Sequence, residues 1–505
     1  MKKSTSTRNR RPLHALLISG VSAVALLSAV PAFAANYTID NGDTVTVTRD
    51  QPLNWDGQGQ LIVGDAGQGT LVINNGGTVS VLSSATSDVP LIGNQNGSVG
   101  LVTVDGPGSS LTSVSTIALG SAPMQSNGGA ATGILVVSNG GTVSTGGNIN
   151  AGVLAGSTGT ITVDGAASVL HADNKLMIGW GDGAVGSLLV TNGGTAFAGD
   201  QGIVSANTGA SGVAVVDGVG STWRVEGRLT VAWSHSVGAL TISNGGLVSS
   251  GDGAFVGNYA SSLATVSVDG AGSTLESTYI SIVGQSSLTV SNGGSVVADG
   301  SLSMGDRTVM TISDGGTVKL GGDVSMEHLA VLNIGGAAGE AAAGGGKLAT
   351  GNINLNHYNA NSATLNFNTT DGVTLDAAIK SGTAGYGNIN QYAGRTVLTA
   401  DNSGFTGQMN LLGGVLSVGD DKNLGGNAAK LGFDGGILQV TGNDFHSLAQ
   451  KVTWGDNGGG FDIVDGGNNF TVAGGFTGNG SLAKFGAGTL TLLGNNSYTG
   501  GTTIS

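Results

Sequence analysis

The 505-residue chain has no cysteine. A disulfide framework is therefore excluded, and stability must come from a packed core. Proline is scarce as well, with 6 residues against 94 glycines. That balance excludes collagen, which needs glycine at every third position and abundant proline. Charged residues supply only 10% of the chain and aromatic residues 5%. Yet 39% is hydrophobic, mostly Val, Leu, Ile and Ala in short alternating runs that a disordered glycine-rich linker lacks. Glycine here punctuates many short strands. Positive charge is the other deficit. Lys and Arg number 18 against 32 Asp and Glu, a net charge of −14. Five of the basic residues (Lys2, Lys3, Arg8, Arg10 and Arg11) precede residue 35, so the remaining chain carries −19. Nucleic acid and anionic lipid both need clustered positive charge and are poor partners for it.

Residues 1–34 have the three parts of a secretory signal. A basic stretch from Lys2 to Arg11 precedes the apolar run Ala15–Leu27, and Ala32-Phe33-Ala34 supplies an A-x-A cleavage site, leaving Ala35 as the mature start. The run is short and broken by Ser19, Gly20 and Ser22, which argues for cleavage rather than anchoring. No other stretch approaches 18 continuous apolar residues. Export through the inner membrane is the expectation.

Self-similarity dominates the rest of the chain. Among the Asn-Gly-Gly tripeptides, those at Asn75, Asn139, Asn192, Asn244 and Asn292 recur with strand-like flanks, and Asp-Gly-Gly at Asp314 extends the series. Val-Asp-Gly places an acid at Asp105, Asp164, Asp217 and Asp269. A third marker is an aliphatic residue before glycine, as in Ile178-Gly179 and Val256-Gly257. The markers define a repeat of about 52 residues built from two related halves of about 25. Segments such as Leu240-Thr241-Ile242-Ser243-Asn244-Gly245-Gly246 alternate apolar and small polar residues before a turn, which is strand periodicity. Asn-Gly is also a hairpin signal. A hairpin sandwich, however, gives no reason for a fixed period. A solenoid does, because one coil cannot bury its apolar face alone and stacking at ~4.8 Å buries a continuous core. The expected fold is all-β, a right-handed parallel β-helix of about eighteen coils forming a rod of about 85 Å.

The segment Lys484-Phe485-Gly486-Ala487-Gly488-Thr489-Leu490-Thr491-Leu492-Leu493-Gly494-Asn495-Asn496-Ser497-Tyr498-Thr499-Gly500-Gly501-Thr502-Thr503-Ile504 resembles the passenger-associated transport repeat of bacterial autotransporters. Tyr392 to Gly407, continuing through Gly413-Gly414-Val415-Leu416-Ser417-Val418, resembles a diverged copy. The Leu332–Ala341 stretch is similar to passengers of this type. The resemblance implies a passenger that crosses the outer membrane through a C-terminal β-barrel of the same chain, with outer-membrane assembly machinery as a partner. It also implies terminal repeats that help the stalk fold as it emerges, at the cell surface or secreted. The sequence ends at Ser505 inside a repeat, without the ~10-residue amphipathic strands of a barrel. The expectation is either a fragment or a truncated gene whose product cannot export itself. The fragment is favoured, because the β-helix would otherwise end on a bare edge. The expected organisation is 1–34 signal peptide, 35–330 repetitive solenoid, 331–350 a Gly/Ala loop region, and 351–505 solenoid with transport repeats.

A search for chemistry yields no catalytic, cofactor or metal residues to nominate. There is no G-x-S-x-G or Gly-Asp-Ser-Gly nucleophile motif. His14, His171, His235, His328, His357 and His446 are scattered outside any H-E-x-x-H. Gly181-Asp182-Gly183-Ala184-Val185-Gly186 fits G-x-G-x-x-G but follows no βαβ pattern. The acids Asp105, Asp164, Asp217 and Asp269 would stack on every second coil, as a face for Ca²⁺ or sugar or as turn acceptors. Their regular repetition favours the turn role, since a catalytic site is singular. Trp180, Trp223 and Trp233 form either a sugar-stacking patch or corner packing. The functional expectation is a non-enzymatic surface stalk that adheres to a host-cell or matrix receptor, with specificity in irregular coils at 120–133 or 357–392. The alternatives are a polysaccharide-acting β-helix enzyme, which requires Asp clustered with Lys or Arg on one face, and self-association between cells.

Overall fold

A computed structural model describes residues 36–53, 59–83, 89–121, 130–355, 362–382 and 385–505. The proposed signal and its cleavage site lie outside the described residues. So do His14, His357, most of the 120–133 coil and parts of the 357–392 coil.

The middle coils show how sequence period becomes structure. In Ser211–Asp217 the side chains alternate, with Gly212, Ala214 and Val216 inward and Ser211, Val213, Val215 and Asp217 outward. A turn leads to the four-residue strand Thr222–Val225, and a second turn leads to the three-residue strand Leu229–Val231. The chain then enters Val237–Ser243, which lies parallel to Ser211–Asp217 and in register with it. The equivalents of these strands stack into three sheets. Fourteen short strands run from Tyr37–Ile39 to Ala378–Ser381, and eleven middle strands from Thr78–Val81 to Lys347–Ala349. The long-strand ladder runs from Asp43–Val47 through Thr132–Ser138 and beyond. The molecule is an all-β parallel solenoid. Asn-Gly-Gly joins strands of two different sheets, as at Thr132–Ser138 and Thr142–Thr145, so it makes a corner and not a hairpin.

One aliphatic core threads the coils, with Val216, Ile242, Val268 and Val290 stacked at 0% exposure. Beside it lies a file of the smallest residues: Gly133, Gly159, Gly186, Gly212 and Gly238, then Ala264, face one another in successive coils. The chain returning from the short strand presses on this file. A Cβ on Gly186 would stand 2.0 Å from the Gly179 nitrogen.

The coil changes shape toward the C-terminus. Thr364–Leu375 and Asn388–Leu398 each run as a single strand past the position of the former corner. The first half of Asn388–Leu398 pairs with Gln408–Leu411 and the second half with Val415–Val418. Aromatic side chains fill the core here. Phe433 lies 5.0 Å from Phe461, and Trp454 stacks on Phe476 at 4.4 Å between ring centroids. Residues 331–350 continue the ladders, since Val331–Gly335 pairs with Thr364–Leu375 and Lys347–Ala349 pairs with Thr317–Leu320; the Gly/Ala loop proper lies between these strands.

Candidate functional site

The two sequence markers occupy one corner in alternation. Asp164, Thr191, Asp217, Ser243, Asp269 and Ser291 are successive partners at the end of the long strands. Each Val-Asp-Gly acid from Asp105 to Asp269 therefore meets the residue preceding an Asn-Gly-Gly on the next coil, whereas the acid of Val464-Asp465-Gly466 accepts the Gly467 N–H of its own turn at 2.9 Å. Asp164 Oδ1 accepts from Thr191 Oγ1 at 2.7 Å and from Asn192 Nδ2 at 2.6 Å. Asp217 does the same with Ser243 at 2.5 Å and Asn244 at 2.7 Å, and Asp269 with Ser291 and Asn292, both at 2.7 Å. In the reverse direction, the Gly193 N–H donates to Ser221 Oγ on the following Asp coil, and the Gly245 N–H donates to Ser273 Oγ, each at 3.0 Å. The asparagines can reach because they hold φ near +50°, as Asn192 (52°) and Asn244 (51°) do, a region asparagine tolerates better than most residues.

This arrangement revises the turn reading of the acids. They stack on alternate coils as expected, but each carboxylate ties its own coil to the next through side chains. Hydrogen bonds to a charged group are worth about 1.5–3 kcal/mol, so the corner is a line of strong ties. Among the described residues no three His, Asp or Glu gather as a metal-binding group.

The tryptophans separate. Trp223 lies in the core at 0% exposure, over Gly202, where an added Cβ would come within 2.8 Å of its ring. Trp180 and Trp233 lie outside the short sheet and cover Met177, Ile203 and Ala206. Arg228 sits 4.3 Å above the Trp233 ring and 4.6 Å above Phe255. The outer two are packing residues on loops, and Trp223 shares no surface patch with them. His171 stacks on Phe197 at 4.4 Å and contacts Asp173 at 2.8 Å, while His235, His328 and His446 pair with Ser234, Asp306 and Asn468. Gly181–Gly183 forms a turn into the parallel strand Val185–Thr191, with no helix to receive a dinucleotide phosphate.

A shallow groove of about 450 Å³ on the middle sheet gathers Arg224, Glu226, Glu276 and Asp299. It is the acid-with-base cluster that a polysaccharide-acting enzyme calls for. Arg224 pairs with its neighbour Glu226 at 2.5 Å, and both side chains are exposed, at 60% and 43%. Glu276 stands two coils from Arg224 across Ser249. Acid–base catalysis draws on carboxylates set apart by burial, and these face water.

Sequence reasoning missed one array. Asn366 Nδ2 donates to Asn333 Oδ1 at 2.9 Å, Asn390 to Asn366 at 2.9 Å, and Asn410 to Asn390 at 2.8 Å. This amide ladder runs on the outer side of the long sheet and ends at Gly432, the residue paired with Asn410. A residue-by-residue search for asparagine on alternate outward positions would have found it.

The chain matches the Passenger-associated-transport-repeat family at residues 391–418 and 482–505, two segments within the altered C-terminal coils. Over 155 residues it is 34% identical to the Adhesin BmaC autotransporter of Brucella suis biovar 1 (strain 1330). That match spans 30% of this chain and 4% of the much longer adhesin. A crystal structure of a TibC-catalyzed hyper-glycosylated TibA fragment aligns over 92% of this chain and 97% of its own, at 15% identity and TM-score 0.30. The chain thus carries two passenger-associated transport repeats on a parallel solenoid and shares one stretch with an adhesin autotransporter.

Proposed function

We propose that the chain is the stalk of a surface adhesin, exported, displayed beyond the outer membrane and without enzymatic activity. The carrying observation is the corner: every second coil is tied to its successor by the same carboxylate, from Asp105 to Asp269. Such repetition supplies reach and resistance to unfolding, while a catalytic site needs one departure from it. The 34% identity to an adhesin autotransporter supports the same reading. Its partners would be a C-terminal barrel, the outer-membrane assembly machinery and a host-cell or matrix receptor. The test is to display residues 35–505 on bacteria through an autotransporter barrel and count cells bound to epithelial monolayers and matrix-coated wells. Binding above that of bacteria carrying the barrel alone supports adhesion, and equal binding sinks it.

Self-association between cells is a second reading with its own observation. The outer face of the long sheet exposes Val185, Leu189, Val213, Val237 and Leu263, each between 38% and 50% exposed, on adjacent coils and without a charge among them. In a chain this acidic, an uncharged flat face is where two like-charged rods can approach. Sedimentation of the purified chain separates the readings. A dimer lost in Val213→Lys supports self-association, and a monomer at all concentrations removes it.

A further inference from the structure

We propose that the groove above the asparagine ladder is a binding site for a short neutral glycan of one or two rings. The groove holds about 320 Å³, near the lower end for small-molecule sites. Its floor is Asn333, Asn366 and Asn390, one side is Ala337 and Ala338 of the Gly/Ala loop, and Tyr392 also lines it. This site unites the low-complexity loop with part of the irregular 357–392 coil.

The wall is held in place. Asn368 Nδ2 donates to the carbonyls of Ala337 at 3.0 Å and Glu340 at 3.1 Å. The Gly344 N–H donates to Asp314 at 2.9 Å, and the Gly345 N–H to Asp371 at 2.8 Å. The loop is thus fixed by hydrogen bonds at both ends, and a ligand meets a preformed site.

The lining chemistry selects the ligand class. No lysine, arginine, aspartate or glutamate lines the groove, so neither an anion nor a cation finds a partner. An extended peptide has no strand edge to join, because Thr364–Leu375 is paired on both sides. The exposed lining is mostly apolar, from Val309, Val331, Ala337, Ala338 and Tyr392, with one amide from Asn390. A side-chain amide has two N–H donors and two carbonyl lone pairs, and within the ladder Asn366 and Asn390 each use one of each. Asn333 and Asn366 are buried, at 1% and 2% exposure, so the partly exposed Asn390 presents the remaining donor and acceptor, which suit hydroxyl groups that also give and take. Tyr392 adds a half-buried ring whose face covers apolar C–H surface and whose hydroxyl makes no hydrogen bond among the described residues. One amide donor and acceptor beside an aromatic ring and an apolar wall suit a sugar, which pairs hydroxyl groups with C–H faces.

The inference deepens the adhesion reading by naming a ligand class, and the test separates the two. Residues 35–505 would be titrated with maltotriose, cellotriose and chitotriose by saturation-transfer NMR, with a heparin tetrasaccharide as the anionic control. The expected result is binding of at least one neutral trisaccharide and none of heparin. Tyr392→Ala should weaken that binding about tenfold. Ala338→Trp, at an exposed loop position, should abolish it by filling the groove while the thermal melt stays that of the parent. No neutral sugar bound, heparin bound instead, or full binding by Ala338→Trp would each overturn the proposal. If displayed Ala338→Trp chains lose the sugar yet still adhere to cells, adhesion stands and the groove's share in it is refuted.

Discussion

Asn244 donates its side-chain amide to the Asp217 carboxylate at 2.7 Å, across the step from one coil to the next. Ser243 donates to the same oxygen at 2.5 Å. Asp217→Ala leaves both donors without their acceptor and is expected to lower stability by about 1.5–3 kcal/mol. Chemical denaturation followed by circular dichroism reads the loss. A change within a few tenths of a kcal/mol would mean that the corner does not tie the coils.

Asn244 supports the corner twice, through its amide and through its positive φ of 51°. Asn244→Gly removes the amide together with the Cβ, and glycine holds this φ without strain, whereas Asn244→Ala removes the amide but keeps a Cβ in the left-handed region, which alanine tolerates less well than asparagine. Alanine should therefore be the worse substitution by about 1–2 kcal/mol. Equal losses would place the whole effect in the hydrogen bond.

Gly186→Ala tests the file of small residues. Its Cβ would meet backbone at 2.0 Å, where nothing can swing aside, so an overpacking cost of about 1–3 kcal/mol is expected. The reverse change, Ala264→Gly, at the one alanine in the file, should cost far less. Melting temperatures of the two variants decide the order.

Trp223→Ala empties the largest fully buried side chain of the core and should cost about 3–5 kcal/mol. Trp233→Ala removes only a partly buried lid over Met177 and Ile203 and should cost less. Similar losses would place Trp233 in the core as well.

Burial holds the Lys484 ammonium below the ordinary lysine value of 10.5, against the pull of Asp462. In the window just below 10.5 the unfolded chain binds more protons than the folded one, so this residue makes stability rise with pH there. The cost of its buried charge is fully present at lower pH. Melts across that window should show the rise in the parent chain and none of this contribution in Lys484→Met.

Much of this fold is written at the turns. Asn139, Asn192 and Asn244 mark corners because few other residues accept their φ, and their spacing gives the coil before any strand is assigned. What Asp164 and Asp217 bind is less legible. An acid before glycine looks the same whether it accepts from its own turn or from the next coil, and only register decides. Gly186 was hidden because glycine in a glycine-rich chain reads as a turn, while here it lies inside a strand under a crossing backbone. The ladder from Asn333 to Asn410 was missed because its steps are 33, 24 and 20 residues, too uneven for a periodic pattern. The groove is invisible in sequence, since its wall and floor meet only when the Gly/Ala loop folds back.

The most direct test is far-UV circular dichroism with thermal melting of residues 35–505, with excess EDTA and then with Ca²⁺. The predicted result is a β spectrum and one cooperative transition at the same temperature in both, since the Asp105, Asp164, Asp217 and Asp269 carboxylates are bound by neighbouring coils. A disordered or helical spectrum would contradict the solenoid, and a transition that appears only with Ca²⁺ would make the corner a metal site instead.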